Sequence, residues 1–422
     1  MFKNIIGGKI FCGLDIGSQK LKASVARVHN LKSIELLGVQ EASTNGFRRS
    51  VVTDTGELTG CIQQTVNSLS QQVGIKLKDI QLGVGGEWIE DRLSHAVIPL
   101  LEKGNKVVSS ADVKRVNHQA RLLGMKMDED VIHDFAQNYS LDDQTIHLNP
   151  VGLYARTMAV DMLLLIVNTT RLGHLLKAVH QAGLEVSNIF LTSYAAVESS
   201  VDHQAKTDGC ALMDIGASST SILIFKDGFL RSFMNIPLGG DHATQSIAQN
   251  LHLSFDQAEE IKKSYGMALN NGGHSVEAPS ESETITEESV LVKSETGYHP
   301  IKREVICRLL EPEITKLVSA IEKSVKGPFY SQLKAGIMIV GGGSLLAGLL
   351  ERIEQGTNLL VHLGKINCAG TPLNNAAVFS ASVGLARLGF TKTWAYNLAN
   401  SQYLHWRQSL SSRIKELYQE YF

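Results

Sequence analysis

The chain has 422 residues, 43% of them hydrophobic, with 40 basic and 42 acidic side chains for a formal net charge of −2. This length exceeds what one ordinary core fills, so two or more lobes are expected. The balanced charge excludes a nucleic-acid binder held by bulk electrostatics. Cys12, Cys61, Cys210, Cys307 and Cys368 lie far apart with no Cys-x-x-Cys pair, and Cys12 and Cys210 fall inside apolar runs. Reduced thiols are expected throughout, buried at those two positions. The opening "MFKNIIGGKIF" has no signal-peptide core, and no stretch reaches the ~18–20 unbroken apolar residues of a spanning helix. A soluble, cytosolic chain is therefore expected.

Strand-like apolar runs alternate with helical patterns along the whole chain, which predicts α/β architecture. Runs 10–14 and 21–28 form a hairpin around "DIGSQK". An amphipathic helix follows over 60–73 and a strand over 80–84. "SSADVKRVNHQARLL" supplies a serine cap and helical spacing over 109–123. A strand at 162–167 precedes a helix at 171–182 that stops at Gly183. "CALMDIGASSTSILIF", residues 210–225, nearly repeats the first hairpin. Helices are expected at 244–250 and 255–265. Residues 270–297 lose their apolar character and read as an acidic, exposed excursion. A long helix at 304–325 leads to the strand and glycine turn "GIMIVGGGS". "TKTWAYNLANSQYLHW" has no clear period and reads as a linker to a terminal helix.

In both hairpins an aspartate ends an apolar strand and small residues return the chain. Backbone N–H groups at such a turn can face phosphate oxygens, and the aspartate can hold Mg²⁺ through water. One such turn is equally a plain structural hairpin. Two copies, each opening a lobe-sized segment, suggest a duplicated fold that grips one phosphate chain. Gly341, Gly342 and Gly343 allow a flat ligand close to the backbone, or simply a tight packing turn. The chain has no Gly-x-x-x-x-Gly-Lys-Ser/Thr loop, no His-Glu-x-x-His and no Gly-x-Ser-x-Gly elbow. "GVGG" at 83–86 is too short and wrongly placed for a dinucleotide fingerprint, and the 14 histidines show no ligand spacing.

The ordered set of elements resembles the actin-like ATPase superfamily. Within it, "DVKRVNHQARLL", "VIHDFAQNYSLDDQTIHLNPVGLYA", "NIPLGGDHATQSIAQNLHLSFDQAEEIKKSYGMAL" and "IMIVGGGSLLAGLLERIE" resemble the FtsA family of bacterial division actins. The resemblance implies an α/β, actin-like two-domain fold with duplicated nucleotide-binding cores, an FtsA-type inserted lobe and a C-terminal amphipathic helix. It divides the chain into a first core (1–86, 160–206 and a return at 371–390) interrupted by the inserted lobe (87–159). A second core (207–239 and 328–370) with an outer lobe (240–327), a linker (391–403) and a membrane-targeting helix (404–422) complete it.

The resemblance also implies which residues hold ATP. Asp15, Gly17, Ser18, Gln19 and Lys20 form the first phosphate turn, and Asp214, Gly216, Ala217, Ser218 and Ser219 the second. Gly239 and Gly240 face the nucleotide, Glu259 and Lys262 reach its ribose or adenine, and Gly341, Gly342 and Gly343 border the adenosine. Asp15 and Asp214 hold Mg²⁺ through water. Without the family, the Glu259–Lys262 pair at i and i+3 reads as a surface ion pair worth little. The second turn departs from the family's Asp-Ile-Gly-Gly-Gly-Thr-Thr-Asp: Ala217 and Ser218 add side chains, and Ser221 stands where the closing acid is expected. Nucleotide binding with very slow or absent hydrolysis is the expectation, and no catalytic residue is assigned.

At the C-terminus, Trp406, Leu410, Ile414, Leu417 and Tyr421 fall on one stripe at spacings of four, four, three and four, with Tyr418 and Phe422 at its edge. Such a helix can lie in a membrane interface or dock on its own core; the family resemblance implies the former. It further implies self-association into filaments, FtsZ and other division proteins as partners, no nucleic acid, and a peripheral place on the cytoplasmic face of the membrane at the division site. A PilM-like pilus-assembly platform and a small-molecule kinase of the same superfamily are the alternatives.

Overall fold

A computed structural model describes residues 8–30, 33–101, 106–142, 145–268, 289–294, 297–366 and 368–399. They fall into two units: residues up to 202 with 229–232 and those from 365 onward, and residues 203–228 with 233–364.

The first unit opens with β1 (Lys9–Ile16), β2 (Lys20–Asn30) and β3 (Ser33–Ser43), followed by α1 (Thr55–Val73) and β4 (Asp79–Val84). Residues 12–16 of β1 are all buried, the continuous apolar pattern of a strand covered on both faces. Helix α1 starts five residues before the expected position because Asp54 caps it, accepting from the Glu57 N–H at 2.9 Å.

The inserted lobe comprises β5 (Glu90–Pro99), α2 (Ser110–Leu123), β6 (Glu129–Leu141), β7 (Thr145–His147) and β8 (Thr157–Asn168). Its sheet runs β7-β6-β8-β5, all antiparallel. Ser109 and Asp112 form the capping box of α2, which turns the fully buried Val116 and Ala120 onto the sheet. Strand β8 pairs with β5 from Thr157 to Ile166 and with β6 as far as Asn168. Residues 160–168 are therefore the centre of the lobe's sheet, and the lobe extends past the expected boundary at 159. A run of buried residues on a strand looks the same whichever sheet it enters, so the sequence could not assign it.

After the lobe come α3 (Thr169–Gln181), β9 (Glu185–Leu191) and α4 (Thr192–Ser200), with Ala369–Gly370 returning late in the chain to the edge of the first sheet. That sheet has the order β9-β4-β1-β2-β3 followed by the return strand. A return helix, Ala376–Ala399, lies against β1, β2 and α4. It continues through 391–399, so this stretch, expected as linker, is helical. Residues 404–422, where a terminal helix is expected, lie outside the described residues with all seven expected membrane-facing residues.

The second unit is built on β10 (Cys210–Ile215), β11 (Thr220–Lys226), β12 (Phe229–Ile236, whose residues 233–236 belong to this unit), α5 (Gly240–Leu251) and α6 (Phe255–Tyr265). β13 (Ser289–Ser294) and β14 (Gly297–Lys302) form a hairpin, so the end of the expected acidic excursion is strand; its residues 270–288 lie outside the described ones. Then come α7 (Arg303–Val325), β15 (Ile337–Val340), α8 (Leu349–Thr357) and β16 (Val361–Leu363). The sheet order is β12-β11-β10-β15-β16, with β10, β15 and β16 parallel. Its core joins Met213, Ile222 and Ile339 of the sheet to Ile247, Ala258 and Ile314 of the helices.

All five cysteines are free; Cys12, Cys210 and Cys307 are buried. Burial pushes the Cys12 thiol up to about 12, which leaves it unreactive. Among the described residues no helix is long and apolar enough to cross a membrane.

Candidate functional site

The two hairpins share one geometry. Asp15 pairs with Lys22 and Ile16 with Leu21; Asp214 pairs with Ser221 and Ile215 with Thr220. In each turn the glycine N–H closes the loop, Gly17 onto the Lys20 carbonyl at 3.1 Å and Gly216 onto the Ser219 carbonyl at 2.9 Å. The duplication seen in the sequence is thus a duplication of backbone register.

The second turn is held by the N-terminus of α5. The Gly240 N–H donates to the Gly216 carbonyl at 3.0 Å and the Asp241 N–H to the Ala217 carbonyl at 2.8 Å. Because a trans peptide places its C=O and following N–H on opposite sides, the Ala217 and Ser218 N–H groups are directed away from α5. A hairpin of small residues therefore presents successive donors outward. Gly239 makes this contact possible: a Cβ there would lie 2.5 Å from the Ala217 carbonyl oxygen and 2.6 Å from that of Gly216. His242 closes the cap, its Nδ1 accepting from the Gly239 N–H at 3.2 Å. The expected helix began at 244; the clamp at 239–241 is the reason it begins at Gly240.

Glu259 and Lys262 are not a surface pair. Their side chains are 13% and 11% exposed and lie 2.7 Å apart. The Lys262 ammonium also donates to the Gly240 carbonyl at 3.0 Å and to Thr244 Oγ1 at 2.8 Å, and the fully buried Thr244 hydroxyl donates to Glu259. Burial alone would raise the Glu259 pKa, but Lys262, Thr244 and Lys263 together hold it below the ordinary range. The network ties α6 to the first turn of α5, so both residues position the clamp, through Gly240.

The glycine turn splits into two roles. Strands β10 and β15 run parallel, with Asp214 beside Val340, so the Asp214 carboxylate and Gly341 meet at the carboxyl ends of both strands, the edge where ligands bind in parallel sheets. Gly341 has φ +88°, and a Cβ on it would lie 2.5 Å from Asp214 Oδ1 and from the Ile215 carbonyl oxygen. Gly343 is equally filled, by Ile215 Cγ2 at 2.5 Å. Gly342 has nothing within 4 Å of its Cβ position. The turn is a short 3₁₀ segment, Gly342–Leu345, closed by the Ser344 hydroxyl onto the Gly341 carbonyl at 2.7 Å. Helix α8 starts only at Leu349, beyond the turn.

In the first unit Asp15 is buried, and burial raises its pKa while Lys22 lowers it in part. Ser18 Oγ accepts from the Ser50 N–H at 3.2 Å. The Gln19 carbonyl accepts from the Thr44 N–H at 2.9 Å, which directs the Lys20 N–H the other way. Lys20 itself reaches Glu41 at 3.7 Å and Ser43 at 3.4 Å on β3. Among the described residues no group of three or more His, Cys, Asp or Glu gathers as a metal cage. Single carboxylates at strand ends fit a hydrated Mg²⁺ that takes most of its ligands from water and phosphate.

Sequence reasoning missed Thr244, His242 and Ser50. A threonine one turn into a predicted helix with a Lys and Glu on the next helix carries no local signal; only the pairing of α5 with α6 brings them together.

The family described as "Cell division protein FtsA" matches residues 211–384, and the "SHS2 domain inserted in FTSA" matches 86–166, together more than half of the chain. Cell division protein FtsA of Pseudomonas aeruginosa is 28% identical over 395 residues, covering 92% of this chain and 91% of that protein. The Escherichia coli K12 counterpart is 26% identical over 393 residues, covering 90% of each. Among solved structures, the PilM-PilN type IV pilus biogenesis complex aligns with a TM-score of 0.62 at 16% identity, covering 90% of this chain and 98% of that one. MreB5 of Spiroplasma citri bound to ADP aligns at 0.52 and 12% identity, covering 93% and 99%. These structural likenesses establish an actin-like fold.

Proposed function

This chain belongs to the FtsA family of actin-like cell-division proteins, and from that premise we propose that it binds ATP as a switch and tethers the division ring to the membrane. The clamp of α5 on the second turn carries the nucleotide reading. It fixes two peptide planes so that the Ala217 and Ser218 donors face outward, and the open face of Gly342, just past the carboxyl end of β15, leaves room for a flat ligand. ATP would be held by these donors, with Glu259 and Lys262 keeping the clamp closed; the first turn, Gly17 to Lys20, offers the same kind of donors within its own unit. Asp15 and Asp214 would hold Mg²⁺ through water. The structural neighbour bound to ADP supports a nucleotide in this fold.

The finer role follows the family. FtsZ would dock on the outer lobe of the second unit, about 240–327. Subunits would assemble into filaments, and the amphipathic stripe at 406–422 would lie in the cytoplasmic face of the membrane at the division site. One such helix binds weakly, and a filament presenting many binds by avidity. Liposome sedimentation of the full chain against a chain ending at Asn400, with and without ATP, tests the anchor. Pelleting of the full chain alone, strengthened by ATP, is expected; equal pelleting of both would remove the membrane role. Capture of an FtsZ tail peptide by the full chain tests the division partner.

A further inference from the structure

Residues 47–52 form a small hairpin, Phe47–Arg48 pairing with Val51–Val52, whose two tip residues are Arg49 and Ser50. Both have left-handed backbones, with φ +46° and +59°. Neither is glycine, asparagine or aspartate, the residues that tolerate such a turn, so the tip is strained. Ser50 is nonetheless buried, and it touches two distant places. Its N–H donates to Ser18 Oγ of the first phosphate turn at 3.2 Å. Its side chain occupies the space beside Gly86: a Cβ on Gly86 would lie 1.8 Å from Ser50 Oγ, and Gly86 itself has φ +106°.

Gly86 leads into the inserted lobe. The Ile89 N–H closes onto the Gly86 carbonyl at 3.2 Å, and the buried Trp88 indole donates to the Gly85 carbonyl at 3.0 Å, forming the turn from which β5 departs. The other connection of the lobe is at hand as well. A small cavity beside Ser50 is lined by Trp88 from the way into the lobe and by Arg171, His174 and Leu175 of α3, which follows the way out. A strained tip whose Ser50 is buried beside a small cavity, while Arg49 stays exposed, combines stored strain with adjacent free space, the features of a coupling element.

We propose that the Arg49–Ser50 tip is a strut that couples the occupancy of the first phosphate turn to the two connections of the inserted lobe. A ligand that draws Ser18 toward its phosphates pulls on the Ser50 N–H, and the Ser50 side chain moves against Gly86. This inference rests on the ATP reading above and adds to it a mechanical output.

Amide hydrogen exchange of the full chain, with and without Mg·ATP, measures it directly, alongside a fluorescent-ATP titration of the same samples. In the natural chain ATP should slow exchange at the Ile89 amide and across 168–176 by about fivefold or more, the lower end of coupling between sites. Ser50→Gly relieves the strain at position 50, keeps the N–H to Ser18 and deletes the contact with Gly86; it should bind ATP yet lose the response in the lobe connections. Ser18→Ala removes the acceptor and should lose the response by the other route. Absence of ATP binding to the natural chain overturns both readings. ATP binding with no response at 86–89 and 168–176, or with a response that Ser50→Gly retains in full, overturns the strut alone.

Discussion

Ser221 stands directly across the second hairpin from Asp214, in the position that Lys22 occupies opposite Asp15 in the first. Ser221 is buried, so this is a built feature of the turn and not a solvated substitution. A hydroxyl there is a neutral partner for Asp214. It supplies no second carboxylate with which to order a hydrated cation or an attacking water, which is the physical ground for expecting the site to hold nucleotide without rapid turnover.

Gly341 and Gly342 are adjacent and should behave oppositely. Gly341→Ala forces a side chain onto Asp214 Oδ1 and the Ile215 carbonyl at φ +88°, and a loss of roughly 2–4 kcal/mol of stability is expected. Gly342→Ala meets open space and should keep stability within about 0.5 kcal/mol while weakening ATP binding. Thermal unfolding and an ATP titration on the two variants separate packing from ligand contact.

Lys262→Met leaves Glu259 enclosed without its main counter-charge, and a loss of about 2–4 kcal/mol is expected, slightly under the figure for a fully buried pair. The pH dependence distinguishes this from a mere packing defect. In the natural chain Lys262 and Thr244 hold the Glu259 pKa below its ordinary value, so its contribution is present above the unfolded value and lost as pH falls through the folded one. In the variant burial dominates and raises the pKa, so acidification should recover stability. Denaturation midpoints between pH 7 and about 4 check the inverted slope.

His133 provides a second pH test, within the first unit. Although the residue is half-buried, its ring is walled by Phe135, Phe190 and Tyr194 at centroid distances of 5.6, 5.9 and 4.8 Å. Its Nε2 accepts from the Leu191 N–H at 2.9 Å, joining the inserted lobe to the end of β9. Burial, with Lys392 and Arg121 nearby, lowers its pKa to about 3. The unfolded chain therefore binds a proton near pH 6.5 that the folded one refuses. Stability contributed by His133 is full above that value and falls on acidification toward pH 3, by at most about 1.4 kcal/mol per pH unit. His133→Gln keeps an acceptor for Leu191 and should flatten this slope over the same window.

Features set by neighbours in sequence were legible without the structure. The two Asp-Ile-Gly turns, the Ser109 cap and the Gly183 stop follow from local chemistry, and the hairpins around Asp15 and Asp214 formed as expected. What was not legible depended on long-range contact. Glu259 and Lys262 looked like solvent-facing charges because Thr244, which buries them, comes from another helix. Residues 160–168 looked like core because a buried strand does not state which sheet it joins. Three consecutive glycines in a row look alike until the carboxylate of Asp214 is placed against the first of them.

Filter binding with ATP labelled on its γ-phosphate tests the central claim most directly, since one label reports both capture and cleavage. The purified full chain with Mg²⁺ should retain the label saturably as intact ATP, with free phosphate released far more slowly than the ~1 s⁻¹ at the low end of ordinary enzymes. A chain that retains no label, or that releases labelled phosphate at ordinary enzymatic rates, would contradict it.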